Sequence, residues 1–221
     1  MDFKETYIKT IEGLREHLRG GSPTIFLGSR TSTVIPFDRP TDYLKRSSDS
    51  LEIVHLVELP KKLELLESGD LLVEGPVNWK EAREFCQSKS REILTGPTEE
   101  MACILSGLAT SATGERCFGF GTLREQVKKL KYLDYQGELH ELSSERSLVS
   151  LFDEGSKSII KSYQHDYELY RSFKNAPFPR MEKETDLMIG TEGQLGVVTQ
   201  ATIKTRALED KMFLFLMVPK W

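Results

Sequence analysis

IGTEGQLGVVTQATIK, residues 189–204, is the most informative stretch of the chain. From Val197 to Lys204 apolar and polar residues alternate, which is the period of a strand with one covered face. Ahead of that strand, Gly190, Gly193 and Gly196 interrupt an otherwise apolar run. Residues without a Cβ enter left-handed backbone freely and let other groups approach closely. The stretch therefore predicts a glycine-rich turn feeding a strand. Two earlier segments share its small-residue character. Leu27-Gly28-Ser29-Arg30-Thr31-Ser32-Thr33 follows a short predicted strand at 24–27. Ser106-Gly107-Leu108-Ala109-Thr110-Ser111-Ala112-Thr113-Gly114 overlaps the end of a helical face formed by Met101, Ile104, Leu105 and Leu108. In the first of them, backbone amides and hydroxyls are donors suited to a phosphate, and Arg30 adds a positive charge. Taken singly, each segment is more often an ordinary tight loop than a ligand site.

Around these loops helices and strands interleave. Phe3, Tyr7, Ile8, Ile11, Leu14 and Leu18 recur at helical steps and predict an opening helix stopped by Gly20-Gly21-Ser22-Pro23. Extended pieces are expected at residues 53–59 and 71–74. Asn78 with Glu81 reads as the start of a helix reaching about Ser90, with Ala82, Phe85 and Cys86 on its buried side. Thr122 with Glu125 repeats the pattern and opens a short helix to about Lys129. Residues 130–135 and 138–142 flank Gln136-Gly137, a hairpin signal. Residues 143–173 read as helical, up to the break at Pro177 and Pro179. No strict strand-helix-strand order emerges, so the expected fold class is α+β.

The 221 residues carry 30 basic and 34 acidic groups for a net charge of −4, and 38% are hydrophobic. Such a chain is too apolar to remain disordered and has no global pull toward nucleic acid or anionic lipid. Its best local basic patch, Lys128, Lys129 and Lys131, reads as a solvated helix end without function. The opening residues lack a leader pattern, and the longest apolar run, at 213–218, is far short of the ~20 residues that span a bilayer. Cys86, Cys103 and Cys117 form no CxxC pair, which suits reduced thiols and a cytoplasmic location. Four scattered histidines give no ligand spacing, so no metal is expected.

In their order and spacing the loops resemble the FAD-binding domain of the vanillyl-alcohol oxidase and p-cresol methylhydroxylase superfamily, in its glycolate oxidase and D-lactate dehydrogenase branch. The resemblance covers residues 24–206. IGTEGQLGVVTQATIK is similar to the family's G-S-E-G-T-L-G-I-I-T-E-A segment. ATSATGERCFGFGTLREQV, residues 109–127, is similar to A-T-N-A-S-G followed by Y-G-T-T-R-D-x-V, and YLDYQGELHEL, residues 132–142, to the V-L-A-D-G-E strand pair. The resemblance implies two α+β subdomains, at 1–75 and 76–208, with FAD held between them. It also implies that 209–221 begins a substrate domain absent from this chain. Gly28, Ser29, Arg30, Thr31 and Ser32 match the pyrophosphate loop G-G-G-T-S. Pro97, Thr98, Ser106, Gly107, Ala109, Thr110, Thr113 and Gly114 match the second diphosphate-binding and ribityl-contacting stretch. Gly193, Gly196, Val197 and Val198 match the segment whose backbone lies along the cofactor, and Glu192 holds an acidic position expected to fix the loop rather than react.

The chain departs from the pattern at Ser29 and Arg30, where glycines are usual, and at Leu105-Ser106-Gly107, where the family has G-G-N. Lys174-Asn175 resembles a K-N-x-x-G-Y segment whose end is replaced by Ala176-Pro177-Phe178-Pro179. No histidine lies between His17 and His55, so FAD is expected to bind non-covalently. The implied activity is that of a flavin-dependent oxidoreductase acting on a small alcohol or 2-hydroxy acid by hydride transfer, with no catalytic residue assigned within these residues. The alternative is a non-catalytic or degenerate flavin-binding subunit that serves assembly. Arg116, beside the second loop, stands equally as a contact for a substrate carboxylate and as a surface ion pair.

Overall fold

The computed structural model describes residues 4–31, 51–170 and 180–210. Lys4–Tyr7 forms β1, Thr24–Leu27 β2 and Glu52–His55 β3, which join as a parallel sheet in the order β1-β3-β2. The helix Ile11–Arg19 covers one face of it, burying Leu14 and Leu18 with Ile8 and Val54. Residues 4–7 are thus a strand, not the first turn of that helix. Thr10 has extended backbone, and its hydroxyl accepts from the Gly13 amide at 3.0 Å, which caps the helix six residues later than Lys4. The pairing partner of β1 lies 48 positions on, at Glu52 for Lys4, beyond the reach of any local pattern.

Lys62–Leu65 forms β4, Leu71–Glu74 β5, Val127–Leu133 β7, Leu139–Ser143 β8 and Val197–Ile203 β9; these five make an antiparallel sheet in the order β4-β5-β9-β7-β8. Between them in the chain, Arg91–Ile93 is β6, which pairs antiparallel with β10, Thr205–Ala207. Since β4 and β5 pair into the five-stranded sheet, sheet membership changes between His55 and Lys62 and not at residue 75. Lys128, Lys129 and Lys131 lie on β7, not on a helix end, and two of them pair across the sheet with Asp70 and Glu141.

The helix Trp79–Ser88 has the expected reciprocal cap: the Asn78 side chain accepts from the Glu81 amide at 2.8 Å, and Glu81 accepts from the Asn78 amide at 2.9 Å. With the helix Ile104–Ala109 it packs on the inner face of the large sheet, around Trp79, Ile104, Leu108, Leu130, Met188 and Ile203. The helical face expected from Met101 begins only at Ile104, because residues 97–103 form turns whose carbonyls at Glu100 and Ala102 accept from the amides of Lys80 and Trp79. The short helix opened by Thr122 ends at Gln126, where β7 begins. Residues 143–173 contain a 3-10 turn at Leu148–Leu151 and a helix at Glu154–Tyr170, none of whose residues is buried.

A second core joins the two sheets. Ile8, Leu14, Leu18 and Val54 of the parallel unit pack with Leu133 and Val197, from the adjoining ends of β7 and β9. Cys86, Cys103 and Cys117 are free and buried. Among the described residues no helix is long and apolar enough to cross a membrane, and no cluster of His, Cys, Asp and Glu could hold a metal.

Candidate functional site

The three small-residue loops, spread over more than 160 positions of sequence, meet where the two sheets adjoin. The first leaves the C-terminal end of β2. A Cβ on Gly28 would overlap the Ser106 hydroxyl and lie 3.4 Å from Cys103 Sγ, so the first loop rests directly on the start of the helix Ile104–Ala109. The second and third loops are tied main chain to main chain: the Glu192 amide donates to the Ala109 carbonyl at 2.8 Å, and the Gly190 amide to the Leu108 carbonyl at 3.0 Å. The third returns to the first strand, because a Cβ on Gly193 would stand 3.7 Å from Phe26 on β2.

Backbone strain gathers in the same place. Among the described residues the non-glycine positions with positive φ are Arg30 (+56°), Ser90 (+54°), Ser111 (+51°), Arg116 (+66°) and Glu192 (+51°), so each loop contains one. A side chain in this region costs roughly 1–2 kcal/mol, and such residues collect at ligand clamps and other functional sites. In the first loop the Ser29 hydroxyl is buried without a hydrogen-bond partner among the described residues. Arg30 is turned back over the parallel sheet: its Nη2 donates to Glu5 Oε2 at 3.2 Å and lies 2.8 Å from His55 Nε2. The buried His55 ring stacks on Tyr7 at 4.1 Å. The charge expected to face a phosphate is therefore engaged by Glu5. Thr31 is half-buried, and Ser32 lies outside the described residues, as do Lys174, Asn175 and the apolar run 213–218.

In the second loop, Gly107 is buried against Ala112 and Leu123, and the Thr110 hydroxyl donates to the Ser106 carbonyl at 3.1 Å. A Cβ on Gly114 would overlap the Gly96 carbonyl and come within 2.6 Å of Pro97 Cα, which brings Pro97 and Thr98 to the loop's end. The Gly114 amide donates to Cys117 Sγ at 3.2 Å. Thr110, Thr113 and Gly114 are exposed, Ala109 is half-buried, and Leu105, at one of the positions where glycine is usual, is buried in the main core. Arg116 forms an ion pair with the buried Glu92 and lies 4.9 Å over the Phe120 ring. Of its two readings, the structure takes the ion pair.

In the third loop, Gly190, Gly193 and Gly196 have φ of +87°, +84° and +132°, and a Cβ on Gly196 would overlap the Leu133 carbonyl. Val197 and Val198 point to opposite cores. The loop is fixed by the Glu192 amide and not by its exposed carboxylate, for which no partner is found among the described residues. Two further side chains hold it. Arg124, buried, donates to the Ile189 carbonyl at 2.8 Å and pairs with Asp186 at 3.2 Å. Tyr135 donates its hydroxyl to the Gly193 carbonyl at 2.5 Å. Burial pushes the Asp186 carboxyl up, but the Arg180 hydrogen bond and the Lys183 and Glu182 amides outweigh it and hold the group below its ordinary value. Neither Arg124 nor Tyr135 stands out in sequence; the only local signal for Tyr135 is its place at the hairpin turn beside Gln136-Gly137.

A three-stranded parallel sheet, a five-stranded antiparallel sheet and loops converging at their junction define an α+β fold. The same fold occurs in alkyldihydroxyacetonephosphate synthase. One crystal form of that enzyme matches with a TM-score of 0.62 at 12% identity, over 92% of this chain and 31% of that one. A second matches with a TM-score of 0.61 at 13% identity, over the same 92% and 31%. The chain thus spans about a third of the length of the structures it matches. No protein-family model matches the chain, and no curated protein matches it in sequence.

Proposed function

We propose that this chain is an FAD-binding domain and that the protein it belongs to is a flavin-dependent oxidoreductase of a small alcohol or 2-hydroxy acid. The observation that carries the reading is the convergence of the three loops, each with one non-glycine residue in left-handed backbone. The fold shared with the synthase supports the superfamily of the sequence resemblance and leaves its branch open. The residues fit an anionic, elongated cofactor. Ser29 offers a buried hydroxyl that has no partner among the described residues, at a loop whose amides follow Gly28. Ser29, Thr31 and the amides around them would hold the diphosphate, with Ser32 completing the loop. Pro97, Thr98, Ser106, Gly107, Ala109, Thr110, Thr113 and Gly114 would line the second stretch. Glu192, Gly193, Gly196, Val197 and Val198 would lie along the rest of the cofactor.

Bound FAD supplies acceptance of a hydride; the protein supplies position and field. Binding is non-covalent in this reading, because His55, the histidine beside the first loop, is buried and held by Glu5 and Tyr7. Leu105 in the core and the Ser106 hydroxyl against Gly28 favour a second reading, a flavin-binding or degenerate subunit that serves assembly. Purification followed by visible absorbance and acid release of the pigment separates these outcomes. A yellow protein whose pigment is freed by acid is expected. A colourless chain that also ignores added FAD would overturn the flavin reading, and bound flavin in a whole protein without turnover would favour the assembly reading.

A further inference from the structure

The third loop is secured from several sides, and among the described residues Tyr135 is the half-exposed side chain that reaches it from another element. The Glu192 and Gly190 amides bond to carbonyls of the second loop, and Arg124 holds Ile189 from within the buried charge network. These belong to the main chain or the core. Tyr135 differs. It sits in the turn between β7 and β8, remains 39% exposed, and donates to the Gly193 carbonyl across 58 residues of sequence. Gly193 is the point of the third loop that reaches β2, where Phe26 stands one residue before Leu27, the end of the strand that carries the first loop. The next residue of the turn is anchored too: Arg19 Nε donates to the Gln136 carbonyl at 3.1 Å, linking the hairpin to the helix Ile11–Arg19. The hairpin is therefore braced on the parallel unit while its tyrosine grips the third loop.

We propose that Tyr135 is a positioning residue of the flavin site: its hydroxyl sets the Gly193 carbonyl, and through it the conformation of the third loop against the first. It acts on a ligand only through that loop. This inference rests on the flavin reading, and the test separates the two. The full chain and Tyr135→Phe are compared by FAD titration, by the visible circular dichroism of the bound flavin, and by hydrogen exchange of the amides at 190–196. Loss of one net hydrogen bond predicts about five- to tenfold weaker FAD binding. An altered flavin dichroism and faster exchange at 190–196 should accompany it, while the melting point falls by no more than the few degrees that one net hydrogen bond supports, because the ring is retained. Tyr135→Leu should match Tyr135→Phe in affinity if the hydroxyl is the active group. Unchanged affinity and unchanged exchange in Tyr135→Phe overturn the inference while leaving the flavin reading intact. Failure of the parent chain to bind FAD overturns the flavin reading instead, and exchange at 190–196 without ligand then judges the tether alone.

Discussion

At residues 28–31 the chain places a charged side chain in left-handed backbone, whereas residues 189–196 place glycines at three of their four left-handed positions. The first loop answers the strain at Arg30 with partners outside itself, Glu5 and His55. The third loop needs little such compensation: its glycines accept the conformation, and main-chain bonds with a buried arginine hold it. Two loops of one site thus differ in what maintains them. One depends on half-exposed charges, which salt and substitution can remove; the other is continuous with the core.

The difference is most severely tested by Arg124→Met. It leaves the Ile189 carbonyl without its buried donor and removes one of the two arginines on Asp186, and should lower stability by about 3–5 kcal/mol in denaturant unfolding. A loss below 1 kcal/mol would mean that the third loop is not built into the core. The same network predicts the acid limb of stability. Asp186 titrates below its ordinary value when folded, so its contribution is complete above the unfolded carboxylate value of ~4 and is lost as pH falls further, through the lower folded value. Asp186→Asn should flatten that limb in a series of melts across acid pH.

Gly196→Ala is expected to cost about 2–4 kcal/mol, since φ is +132° and the new methyl meets the Leu133 carbonyl. For this reason a large residue at Gly196 or Gly114 breaks the fold before it blocks any ligand. In the first loop effects should be small. Arg30→Gly should be more stable than Arg30→Ala by about 1 kcal/mol, because both lose the Glu5 pair but only glycine relieves the backbone. That pair, with side chains 42% and 47% exposed, is worth at most about 1 kcal/mol. Equal melting of the two variants would remove the steric account. Smallest of all, Ser29→Ala should leave the ligand-free chain unchanged or up to about 1 kcal/mol more stable, since it deletes a buried hydroxyl without a partner among the described residues. Weaker FAD binding by the same variant would assign that hydroxyl to the ligand.

Much of this was legible from residue order. Asn78 with Glu81, the alternation from Val197 to Ile203 and the Gln136-Gly137 turn are local signals, and each formed the element it predicts. What escaped was non-local. β1 is a strand only because Glu52–His55 lies beside it, and β6 and β10 are short strands that pair with each other over a long sequence separation, Ile93 opposite Thr205. The loops were recognisable by glycine and hydroxyl content. The groups that fix them were not, because Glu5, Arg124 and Tyr135 reach their partners through folded space and carry no spacing of their own.

Leu133 and Val197, packed with Ile8, Leu14 and Val54, knit the ends of β7 and β9 into the parallel unit. The two units therefore have no hinge between them at this point: swinging them apart would expose that shared core to water. Anything lodged at the junction therefore enters and leaves without the two units parting. Variants that loosen the loops alone should change its escape rate before they change the melting point of the whole.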